Sequence, residues 1–321
     1  LSRIYGFEDH KEEMNYLLNL NIEKLSINEK IKVAFAKADI HLRKKNFSEG
    51  SFYIKVGNDE HLKLFPSDFE LKFKTGEFYK NLVLENKSLK KTTSTDELIF
   101  IVGMPRSGST LLESILSLNS KVVDMGEACF LEESLRESKE YVDVFSKYIS
   151  KRDLFFGNEG IFTDKNLFNY FYIPIIYNFF PNSKIIHCIR NPLDNILSIY
   201  RTNFTNQNFS SSLTDITNLY LQQFELTNYY KKKYGSIIYS HYHDKVIQNP
   251  KEQISKLINW LGWKWEEKYL YPDNSKRAVF TASSVQVRAK INSKSLGEWK
   301  NFEELLKPAI KILSKTNLLN Y

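Results

Sequence analysis

The junction at residues 98–116 constrains this 321-residue sequence more than any other stretch. Leu98-Ile99-Phe100-Ile101-Val102 is an unbroken apolar run of strand formers, which reads as a strand buried on both faces of a parallel sheet. Gly103-Met104-Pro105-Arg106-Ser107-Gly108-Ser109-Thr110 follows, and Leu111, Leu112, Ile115 and Leu116 then recur at helical spacing. A strand, a glycine-bearing loop and a helix in that order make an anion cradle. The glycines let the backbone approach closely, consecutive N–H groups form a nest, and the helix N-terminus adds partial positive charge.

The spacing fits the phosphate-loop pattern G-x-x-x-x-G-K-[ST], except that Ser109 stands where the lysine belongs. That lysine grips the β- and γ-phosphates in nucleotide triphosphatases, so its replacement argues against ATP or GTP hydrolysis. Arg106 supplies a fixed cation that can hold a sulfate or phosphate bidentately.

Two further runs, residues 184–189 (Lys-Ile-Ile-His-Cys-Ile) and 236–239 (Ser-Ile-Ile-Tyr), read as strands, the first followed by a helix starting at Pro192. Strands alternating with helical segments predict an α/β fold: a P-loop-like parallel β-sheet flanked by helices. Residues 1–92 show helical periodicity instead, as in Ile31, Phe35, Ala38 and Leu42, and read as an N-terminal helical appendage. Within it, residues 30–66 read as a helix pair with small Ala34, Ala36 and Ala38 on one face. The pair resembles a single degenerate tetratricopeptide unit, and an unrelated helical hairpin fits equally well. The polar stretch ending in Thr92-Thr93-Ser94-Thr95 is the expected hinge, with a second domain over residues 93–321.

Composition narrows the class. With 42% hydrophobic and 26% charged residues the chain can bury a large core, and no stretch approaches the ~18 apolar residues of a membrane span. Two cysteines, Cys129 and Cys188, offer neither a disulfide framework nor metal-ligand spacing, which points to a reducing, cytoplasmic setting and no metal. A net charge of +7 suits a phosphate-bearing ligand but is too mild to argue for nucleic acid. The opening residue is Leu1 rather than Met, as expected of a fragment, in which any upstream targeting segment would be invisible. His241 and His243 could share a strand face but lack a third ligand nearby, and His187 reads as a core histidine.

Pro105-Arg106-Ser107-Gly108-Ser109-Thr110 resembles the 5′-phosphosulfate loop of the sulfotransferases, which use 3′-phosphoadenosine 5′-phosphosulfate (PAPS) as donor. Arg190, followed eight residues later by Ser198, is similar to that family's 3′-phosphate site, and Arg201 lies one turn beyond. The resemblance is strongest to the protein-tyrosine and tetratricopeptide-linked bacterial types and covers residues 96–307. It implies Glu127, in Asp124-Met125-Gly126-Glu127, as the base that deprotonates an acceptor hydroxyl. It implies Lys165 as the cation on the leaving bridging oxygen, beside Arg106 on the sulfuryl group. Ser107, Gly108, Ser109, Thr110, Tyr242, Ser283 and Arg288 are implied donor contacts. Glu298 departs from the pattern, standing where relatives carry a donor-binding lysine, and Lys290 stands where many carry proline. The acceptor implied is a hydroxyl on a protein tyrosine, a glycan or a small molecule, with a protein partner for the N-terminal helices. The alternatives are an inactive helical adaptor retaining a nucleotide-binding domain, and a kinase or ATPase using the same loop.

Overall fold

The computed structural model describes residues 10–82, 97–180, 182–274, 291–293 and 295–318. These fall into two compact units, one drawn from Leu1–Phe73, Asn191–Tyr220 and Ser295–Tyr321, the other from Lys74–Arg190 and Leu221–Lys294.

The second unit carries a five-stranded sheet, all parallel, in the order β2-β3-β1-β4-β5. Its strands are β1 (Glu97–Gly103), β2 (Val122–Asp124), β3 (Ile161–Asp164), β4 (Lys184–Ile189) and β5 (Ile238–Tyr242). β1 is central because it can be: Leu98 to Val102 are at most 3% exposed, so both faces are covered. Period-two alternation divides it between two cores. Leu98, Phe100 and Val102 join Phe162, Tyr148 and Ile173 on one side. Ile99 and Ile101 join Leu112, Leu116, Leu257 and Leu261 on the other.

Leu112 and Leu116 lie on α5 (Ser109–Leu116), the helix that the glycine loop opens into, and Leu257 and Leu261 lie on α12 (Pro250–Leu261). The first core draws Tyr148 from α7 (Val142–Phe156) and Ile173 from α8 (Ile173–Phe179). The third expected strand forms two residues later than its apolar run, because Gly235–Ile237 winds into a helical turn and pairing with β4 continues through Ser240, His241 and Tyr242. β2 and β3 had no counterpart in the sequence reading.

The first unit is helical. α2 (Ile27–Arg43) starts at a capping box in which the Ser26 backbone N–H donates to Glu29 at 2.9 Å. It pairs with α3 (Phe47–Leu64) across residues 44–46, and Ile31, Ala34, Phe35 and Ala38 are buried. Gly57 sits where a side chain would meet the Phe35 ring at 2.9 Å, so close packing of the pair depends on it. α9 (Pro192–Tyr200) joins this unit through Asn58, whose side-chain amide donates to Tyr200 O at 2.8 Å.

Candidate active site

All five strands deliver residues of interest at their carboxyl ends, the rim where open parallel sheets bind ligands. After β1 comes the loop 103–108. Gly108 caps α5 in the left-handed region (φ +91°), and a side chain there would stand 2.2 Å from His243 Nδ1. Only glycine fits, which is why the spacing 103–108 holds. Arg106 also has positive φ (+66°), an uncommon conformation for a residue with a side chain. Ser107 is buried, and its Oγ has no hydrogen-bond partner among the described residues. An unanswered buried hydroxyl inside a glycine cradle fits an anion such as the 5′-phosphosulfate of a nucleotide donor. Ser109 and Thr110 open α5 and are buried.

At the end of β2, Asp124 accepts the Gly126 N–H at 2.8 Å and Gly126 takes φ +62°, turning the chain so that Glu127 projects into solvent. At the end of β3, Lys165 N–H donates to Gly126 O at 2.8 Å, which binds the two turns together. The side chains meet as well: Lys165 Nζ lies 3.3 Å from Glu127 Oε1 and 3.0 Å from Glu113 Oε2 on α5. Glu113 is wholly buried and Lys165 nearly so, whereas the Glu127 side chain is 62% exposed. Glu113 was not foreseen, because a glutamate inside an apolar helical stripe reads as a solvent-facing position.

Asp164, immediately before Lys165, is buried and accepts from Tyr148 Oη (2.9 Å), the Asn166 N–H (3.0 Å) and Asn169 Nδ2 (3.1 Å). Burial nevertheless dominates and pushes its carboxyl up to about 7.

At the end of β4, Arg190 Nη1 donates to Arg106 O at 3.2 Å, so the second implied phosphate ligand touches the first loop directly. β5 ends at Tyr242, whose ring lies 4.6 Å from the Lys245 ammonium. His243 follows and is buried; desolvation, with Arg190 nearby, holds its imidazole neutral, with its pKa lowered to about 3. His187 is a core histidine in contact with the Gln223 side chain, as the sequence reading had it. Among the described residues no three His, Cys, Asp or Glu side chains cluster as metal ligands, and no helix is long and apolar enough to cross a membrane.

Ser198 and Arg201 belong to the other unit. Ser198 is buried on α9, and Arg201 pairs with Glu298 at 2.6 Å. The departure at Glu298 therefore has a local purpose as the partner of Arg201. Nearby, the buried Asp194 accepts from Gly297 N–H (2.7 Å) and Trp299 N–H (2.9 Å), fixing the turn that carries Glu298. Ser283, Arg288 and Lys290 lie outside the described residues.

Comparison with known proteins bears on what this rim belongs to. An uncharacterised protein of Aquifex aeolicus is 30% identical over 247 residues, 68% of this chain, which spans only 32% of that relative's length. The "Putative protein-tyrosine sulfotransferase" of Caenorhabditis briggsae is 24% identical over 64% of this chain and 81% of its own. Among solved structures, the sulfotransferase domain of the Synechococcus PCC 7002 olefin synthase covers 70% of this chain and 98% of its own at 15% identity, with a TM-score of 0.48. Mouse sulfotransferase SULT7A1 complexed with PAP covers 71% of this chain and 88% of its own at 14% identity, with a TM-score of 0.47. Residues 98–154 and 156–267, more than half of the sequence and, apart from Glu97, all of β1 to β5, match the profile described as "Sulfotransferase family", and the chain belongs to that family.

Proposed function

We propose that this chain moves a sulfuryl group from PAPS to an acceptor hydroxyl. The observation that carries the reading is the ion pair of Lys165 with Glu127 at 3.3 Å: Lys165 follows β3, which neighbours the strand that ends in the glycine loop, and Glu127 follows β2, the next strand out. A carboxylate open to solvent and a buried ammonium are the two groups that transfer to an alcohol needs. One takes the acceptor proton, and the other offsets charge gathering on the leaving oxygen. Ser107, Gly108, Ser109 and Thr110 would cradle the 5′-phosphosulfate, with Arg106 on the sulfuryl oxygens. Arg190 would take the 3′-phosphate, and by sequence resemblance Ser198 and Arg201 join it. Tyr242, Ser283 and Arg288 are further donor contacts on the same ground. Charge is supplied by side chains, and the step parallels phosphoryl transfer in resting on position and electrostatics.

The acceptor is a hydroxyl on a protein tyrosine, a glycan or a small molecule. The helical pair α2 and α3, with Phe52 exposed, is the surface proposed for a protein partner.

Calorimetric titration with 3′-phosphoadenosine 5′-phosphate (PAP), beside ADP, AMP and ATP–Mg²⁺, tests the reading. PAP is expected to bind at least tenfold tighter than ADP, with the preference lost in Arg190→Ala. Binding of ATP–Mg²⁺ with no gain from a 3′-phosphate would overturn it.

A further inference from the structure

Glu113 lies four residues beyond Ser109 on α5, between Leu112 and Ser114, and no part of its side chain reaches solvent. A buried carboxylate is expensive unless an opposite charge answers it. Lys165 does so at 3.0 Å, itself 1% exposed. The ammonium thus has two carboxylates of different character: Glu113 sealed in the interior at 3.0 Å, and Glu127 at 3.3 Å with 62% of its side chain in water. Water screens the outer pair, whereas the inner one acts at low dielectric and sets where Lys165 stays.

Resting on the sulfotransferase reading, we propose that Glu113 is a positioning residue for transfer: it is the fixed counter-ion that holds Lys165 beside the glycine loop while Glu127 is the exchangeable one. In the step itself the acceptor oxygen forms a bond to sulfur and its proton passes to Glu127. The bond from sulfur to the bridging oxygen breaks, and its electron pair stays on the nucleotide's 5′-phosphate, whose charge Lys165 meets. Glu113 takes part in none of the bonds made or broken. Without its charge, Lys165 has, among the described residues, only the solvent-exposed Glu127 as a carboxylate partner, and it leaves the position from which it meets that phosphate.

PAP carries the 5′-phosphate that Lys165 would face, so its affinity reads the position of Lys165 without an acceptor. In the full chain, Lys165→Met is expected to weaken PAP about tenfold and Glu113→Gln to weaken it to a similar level. The double variant is expected to be no weaker than either, because the second change removes a contact already lost. Glu113→Asp, which restores the charge, is expected to recover most of the affinity; a merely structural role for the side chain would not produce that pattern. Should Glu113→Gln fail to fold by circular dichroism, Lys165→Met is compared in the wild-type and Glu113→Asp backgrounds, and a smaller loss in the latter is expected. If the losses from Glu113→Gln and Lys165→Met multiply, or Glu113→Gln binds PAP as wild type does, the role of Glu113 is refuted and the sulfotransferase reading stands. If wild type does not bind PAP, both fall.

Discussion

His243 Nδ1 stands 2.2 Å from where a first side-chain carbon on Gly108 would lie, so the end of β5 and the end of β1 close on one another over the anion loop. Gly108→Ala has to displace a buried imidazole and also hold an L-residue at φ +91°. The strained backbone alone costs about 1–3 kcal/mol. We expect Gly108→Ala to lower the midpoint of thermal unfolding by several degrees and PAP affinity by at least tenfold. Adding His243→Ala should return part of the midpoint, by removing the clash, but little of the affinity, since the loop stays distorted. Scanning calorimetry and PAP titration of both variants check this, and equal midpoints for single and double variants would contradict it.

Glu127→Gln keeps the shape of the side chain and removes the proton acceptor. Loss of a general base typically costs 10²- to 10⁴-fold in rate. Transfer, followed as PAP formed from PAPS with an active hydroxyl acceptor, should fall within that range. PAP affinity should stay within about threefold of wild type, because a solvent-exposed carboxylate contributes little to holding the nucleotide. An unchanged rate would remove Glu127 from the mechanism.

What the sequence revealed and what it hid follow from burial. β1 and β4 are apolar runs enclosed on both faces, and such runs announce themselves. β2 is three half-buried residues and β3 is the four residues Ile161–Asp164; both hold strand formers, but they are too short for alternation or an apolar run to show. Neither has a pattern to read. The anion loop was legible because glycine positions are dictated by backbone geometry. Glu113 was not, since a buried ion pair is written in two distant residues, each of which alone looks solvent-facing. The pairing of Arg201 with Glu298, 97 residues apart, was hidden for the same reason.

In the helical unit, Asn58 is 1% exposed and its amide donates to Ile54 O at 3.0 Å and to Tyr200 O at 2.8 Å. Tyr200 ends α9, where carbonyls have no helical partner. Asn58→Ala leaves that carbonyl without its donor and opens a small cavity, and should destabilise the chain by about 1–3 kcal/mol. Urea unfolding at neutral pH measures it, and a loss below about 0.5 kcal/mol would show that Tyr200 O finds another donor.

Asp164 sets the last expectation, through its proton. Its carboxyl titrates near 7 in the folded chain against an ordinary value of 3.8, because burial outweighs the three donors around it. The folded state therefore holds a proton that the unfolded chain releases between about pH 4 and pH 7, so this group's contribution to stability is complete below pH 4 and is lost as pH rises through 7. About three units at about 1.4 kcal/mol each bound the effect near 4 kcal/mol. Asp164→Asn cannot titrate. Chemical unfolding of both proteins from pH 4 to pH 8 should show wild type losing stability relative to the variant across that window, by a few kcal/mol at most. Parallel profiles would mean that the donors from Tyr148, Asn166 and Asn169 keep Asp164 ionised throughout, and that the charge beside Lys165 is permanent.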